Sequence, residues 1–152
     1  MDDPSTSDFM ALAQRRLAGP QAELLRALHR FTTLRLRAAD RSLSRLSGPA
    51  AGLDAVQMQL HAFLRECWDA LDGLGREVNL VMRHLFPEAG LYDPLEMTRQ
   101  CTFYMVRKLL GEHPTTADHA VTRLLWERTR EAPEDAYRRL SFLHNVAIFF
   151  PL

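Results

Sequence analysis

Histidine and carboxylate side chains crowd into one short stretch of this chain. Glu112, His113, Asp118 and His119 fall within eight residues of the segment GEHPTTADH. Each could ligate a metal, but the spacing is not that of a helical H-x-x-x-H pair and thiolates are missing, so local roles fit better. His113 would sit near a helix C-terminus, where the dipole favours a cation, and Asp118 would pair with Thr115 in a capping box. A second group, His61, Glu66, Asp69, Glu77 and His84, shares one long helical stretch. Two-metal carboxylate sites draw ligands from several helices, usually as Glu-x-x-His, and that spacing is missing. No metal or cofactor is therefore expected. A third group is basic: Arg26, Arg30, Arg35, Arg37, Arg41 and Arg45, opposed only by Asp40 over the same stretch. Arg26, Arg30, Arg37 and Arg41 fall near one helix face, a ridge able to track a phosphate backbone with salt-dependent affinity. The acids of the next helix, Glu66, Asp69, Asp72 and Glu77, could equally pair with it across a hairpin.

Near the end of the chain, Arg138 and Arg139 precede His144 and Asn145, with five and four residues between each arginine and the histidine. The pattern resembles the R-x4-6-H signature of the HEPN superfamily, small all-helical bundles of which many are dimeric ribonucleases or toxin partners. The resemblance covers this motif and the all-α architecture. It implies RNA as substrate, with Arg138 or Arg139 holding the phosphate and His144 moving protons, as attack by an RNA 2′-OH requires. A second match runs from Arg107 to His113. His144 also falls on the apolar face of its helix, where a core role suits it. Gly-rich phosphate loops, nucleophile elbows, CxxC pairs and dinucleotide fingerprints are absent, which sets aside the common nucleotide enzymes.

The elements that must position these residues are marked by proline. Pro20, Pro49, Pro94, Pro114 and Pro133 each edge a stretch with helical apolar spacing. After a disordered tail at 1–7 comes a short amphipathic helix from Asp8, stopped by Gly19 and Pro20. The next helix runs to about Leu46 on a stripe of Leu24, Leu28, Phe31, Leu34 and Ala38. Ser47, Gly48, Pro49 and Gly52 form a loop. The longest helix, Leu53 to Leu85, carries Val56, Leu60, Phe63, Cys67, Leu71, Leu74, Val78, Val81 and Leu85, with a bend expected at Gly73 and Gly75. A helix from Pro94 to Leu110 is apolar on most sides and closed by Gly111. Another opens at the Thr115–Asp118 capping box. The last starts at Pro133 and ends in the apolar run Ala147 to Leu152. These readings define an all-α fold: a single-domain antiparallel helical bundle over 8–152, with five main helices plus a short N-terminal helix.

Composition bounds the function. The chain has 152 residues, with nineteen basic and nineteen acidic side chains balancing to zero, so no overall field steers it to a polyanion. Eighteen of the nineteen basic residues are arginine. Cys67 and Cys101 read as reduced core thiols. The acidic start, MDDPSTSDFM, does not follow the order of a signal peptide, and the longest apolar run, Val146 to Phe150, is far below a membrane span of roughly 20 residues. A cytoplasmic protein without membrane contact is expected. The leading expectation is a module working through protein contacts, a homodimer paired by its last helix and by Ile148, Phe149, Phe150 and Leu152. RNA cleavage at Arg138, Arg139 and His144, and nucleic-acid binding along Arg26–Arg45, are the alternatives.

Overall fold

The computed structural model describes residues 17, 19–46, 52–93 and 101–130. They form four α-helices and, among the described residues, no strand: α1 (Gly19–Leu46), α2 (Leu53–Leu85), α3 (Phe103–Glu112) and α4 (Ala120–Arg130). A 3-10 turn, Pro87–Ala89, lies between α2 and α3. The all-α expectation holds. The tail at 1–7, the short N-terminal helix and the helix expected from Pro133 lie outside the described residues.

α1 and α2 pack as a long antiparallel hairpin. Leu25 clusters with Leu80, Thr32 bonds Glu77, and Arg35 reaches Glu66, so later α1 positions meet earlier α2 positions. The buried positions of α1 are Ala22, Leu25, Thr32, Ala39 and Ser42, with Leu25, Thr32 and Ala39 seven apart. This is a correction to the expected stripe. Leu24, Leu28 and Phe31 are half-buried, and Leu34 is exposed. Apart from Leu25, the seam is built of small residues, which let two helix backbones approach closely at the expense of buried apolar area.

Gly73 and Gly75 answer the same demand from α2. A Cβ on Gly73 would stand 2.5 Å from Thr32 Oγ1, and one on Gly75 would stand 2.6 Å from the Phe103 Cα. Both positions are buried inside one uninterrupted helix, so the glycines admit α1 on one side and the start of α3 on the other. Their helix-propensity cost, about 1 kcal/mol each, is offset by these close contacts.

Two apolar clusters form at the same end of the hairpin. One joins Val78 and Met82 of α2 to Ala89, Leu91, Cys101, Val106 and Leu110, and the other joins Leu17, Ala22, Leu25 and Leu80. Full burial of a side chain such as Leu25, Met82 or Leu110 contributes about 1.5–3 kcal/mol. The segment after α2 is tied down by Asn79. Its Nδ2 donates to the Tyr92 carbonyl at 2.9 Å and its Oδ1 accepts from the Tyr92 N–H at 3.0 Å. Arg83 donates to the Leu91 carbonyl and to Asp93 alongside it.

Three expected boundaries move. Cys101 and Thr102 are not helical, and α3 begins at Phe103 because the Thr102 side chain caps it by accepting from the Met105 N–H. Gly111 lies within α3, where a Cβ would stand 2.7 Å from Trp126 Nε1, so it serves the contact with α4. The Thr115–Asp118 capping box is not formed. Thr116 instead donates to the Leu110 carbonyl at 2.7 Å, and α4 starts at Ala120, with His119 Nδ1 accepting from the Val121 N–H at 3.3 Å.

Candidate functional site

A buried carboxylate lies at the centre of the hairpin. Glu77 is 3% exposed and points from α2 toward α1. Thr32 Oγ1 donates to its Oε1, and His29 Nδ1 stands 3.0 Å from its Oε2. Thr32 Oγ1 also lies 3.1 Å from the Leu28 carbonyl, so the hydroxyl bridges its own helix to the acid. Burying a carboxylate is costly unless both oxygens are held, and these two residues hold them. A carboxylate on one ring nitrogen of a histidine also orients the other nitrogen as a base, the arrangement used in acyl-transfer triads. Among the described residues no three His, Cys, Asp or Glu side chains converge for a metal. Burial pushes the Cys101 thiol up to about 11 and raises Cys67 as well, so neither supplies a thiolate at neutral pH. The cluster ties α1 to α2 through these bonds.

Three other acids of α2 are also engaged. Glu66 accepts from Arg35 Nη1 at 3.0 Å, and Asp69 lies 3.7 Å from Arg35 Nε. The hydrogen bond to Glu66 raises the Arg35 pKa, and the guanidinium also stacks 5.0 Å above the Phe31 ring. Asp72 accepts the Phe103 backbone N–H at 3.2 Å at the entry to α3. Burial raises its pKa, against the lowering effects of that N–H and of Arg76. Arg26, Arg30, Arg37, Arg41 and Arg45 all stay exposed.

The GEHPTTADH residues do not form a metal site. Glu112 pairs with Lys108 at 3.8 Å, and His113 Nδ1 contacts Thr115 Oγ1 at 2.8 Å. His119 meets the edge of Phe86 at 5.2 Å, and Asp118 is exposed. In the second R-x4-6-H match, Arg107 stacks 4.0 Å above Trp126 while His113 ends α3, so the two serve separate local contacts. Arg138, Arg139 and His144, and the pairing residues Ile148, Phe149, Phe150 and Leu152, lie outside the described residues. His29 and Thr32 were not singled out from the sequence. The available signal was a polar pair at i and i+3 among apolar α1 positions, with acids spaced along α2.

The largest feature is apolar. Of the nine α2 positions expected to form its buried stripe, only Val78 is buried among the described residues. Val56, Leu60, Leu74 and Leu85 are exposed, and Phe63, Cys67, Leu71 and Val81 are half-buried. The face of α2 that meets α1 is another one, carrying Glu66, Gly73 and Glu77. Toward the hairpin tip lie further exposed side chains: Leu53 at 83%, Met58 at 65%, Leu36 at 56% and Leu34 at 55%.

Comparison with family models, with curated proteins and with solved structures finds no match. Among the described residues no helix is long and apolar enough to cross a membrane.

Proposed function

We propose that this protein works through protein–protein contact in the cytoplasm and self-associates as a homodimer along the apolar stripe of α2. The observation behind the reading is the stripe itself. Large apolar side chains recur from Leu53 to Leu85, about 50 Å of helix; Val78 and Val81 pack into the core, while Leu53, Val56, Leu60, Leu74 and Leu85 are exposed. Contiguous apolar patches beyond a few hundred Å² are rare on monomers and mark sites of contact. A stripe along one helix is self-complementary about a two-fold axis, because an antiparallel copy presents the same row in reverse. The HEPN-type reading rests on Arg138, Arg139 and His144, for which the described residues provide no geometry.

Sedimentation velocity across a concentration series tests the proposal. The unmodified chain is expected to dimerise, and Leu60→Glu, a charge in the middle of the stripe, to weaken association by about 30-fold or more, as loss of an interface hot spot does. A Leu60→Glu protein that dimerises like the parent would overturn the reading.

A further inference from the structure

We infer that the outer face of α1 binds the phosphodiester backbone of nucleic acid, without reading its bases. At 3.6 residues per turn, Arg26, Arg30, Arg37 and Arg41 fall within an arc of about 60°, with Arg45 about 40° further round, on the side of α1 away from Leu25 and Thr32. The row spans about 28 Å along the helix. Glu23 is the one acid on that arc. A row of arginines is ordinarily neutralised by a facing row of acids, and α2 carries five, of which Asp54 is exposed in the first turn at the hairpin tip. The structure gives each of the other four another task. Glu66 and Asp69 hold Arg35, Asp72 holds the Phe103 N–H, and Glu77 holds Thr32 and His29. Among the described residues only Arg35 is consumed, and the remaining five arginines are exposed.

The chain's net charge of zero does not cancel this ridge. At physiological ionic strength charges are screened beyond about 8 Å, so a ligand lying along α1 meets the local row and not the sum over the molecule. Guanidinium groups suit phosphate oxygens through paired N–H donors. The arc presents no aromatic side chain for base stacking, so contact is limited to the backbone and is indifferent to sequence. It presents one large apolar residue, Leu34, where a membrane-surface helix needs a whole apolar face, so an anionic bilayer is the poorer fit. This inference is independent of the α2 stripe.

Fluorescence anisotropy of the full chain with labelled 20-base-pair duplexes of DNA and RNA, two unrelated sequences of each, is the test. Binding is expected for both sequences of at least one duplex type. With five phosphates engaged, the log–log salt slope is about −4.5, a loss of roughly 500-fold between 50 and 200 mM salt. Replacing Arg30, Arg37 and Arg41 together by glutamate should abolish binding while far-UV circular dichroism stays unchanged, and replacing the same three by lysine should retain most of it. The double change Arg65→Glu with Arg123→Glu, at exposed arginines off the ridge, should leave most of the affinity in place. No binding at 50 mM salt, affinity insensitive to salt, equal loss in the off-ridge variant, or equal binding to phosphatidylserine vesicles would each overturn the inference.

Discussion

A carboxylate as buried as that of Glu77 stays folded only while its oxygens are held, one by Thr32 and the other by His29. Thr32→Val keeps the shape and removes the hydroxyl, leaving a buried acceptor unpaired at a cost of about 1–3 kcal/mol. In a Glu77→Leu background the same change should cost far less, because no acceptor remains to be orphaned. Urea denaturation of the two single variants and the double closes that cycle, and strict additivity would contradict the tether. Asp72 gives a pH signature. Its folded pKa is raised by burial, so protonation favours the folded state. That contribution is fully present below the unfolded value, about 3.9, and is lost as pH rises through the folded pKa. Asp72→Asn keeps an oxygen for the Phe103 N–H and cannot ionise. The stability difference between Asp72→Asn and the parent should therefore shift in the variant's favour as pH rises through the acid range, measured by thermal unfolding, whereas a pH-independent difference would contradict the burial. Neither tether was visible in the chain beforehand. A lone acid, threonine or histidine on a helix says nothing of its partner when that partner lies 45 or 48 residues away.

At the scale of the element, Gly75 separates propensity from packing. Alanine is the better helix former by about 1 kcal/mol, yet its Cβ would meet Phe103 backbone atoms at 2.6 and 2.8 Å. Gly75→Ala should therefore destabilise the protein by about 1–3 kcal/mol, as overpacking does, and chemical denaturation would contradict this by finding a gain. Much of the helical layout was legible. α2 has the limits that its apolar rhythm and the Gly52 loop indicate, and Pro20 sits in the first turn of α1. The orientation of the helices was not legible. Periodicity finds the apolar stripe of α2 but not what meets it, and the α1 seam, built apart from Leu25 of alanine, threonine and serine, carries little hydrophobic signal. The boundaries of α3 and α4 moved for a related reason. Thr102 and His119 cap their helices through single local hydrogen bonds, and these competed with equally plausible caps nearby.

Over the whole molecule, the described residues place the core at one end of a long hairpin and exposed apolar surface along the rest of α2. The end held by Leu25, Leu80, Met82 and Leu110 supplies stability, and the stripe supplies a face for association. The arginine row of α1 adds a charged face turned away from the seam. The central claim is that the stripe pairs two copies of the chain. Sedimentation equilibrium at tens of micromolar measures it most directly, with the outcome read against the 17.4 kDa mass of one chain. Twice that mass for the parent, falling to a single chain in a Val56→Glu, Leu60→Glu variant of unchanged helicity, is the predicted result. A parent of single-chain mass throughout the concentration range would contradict it.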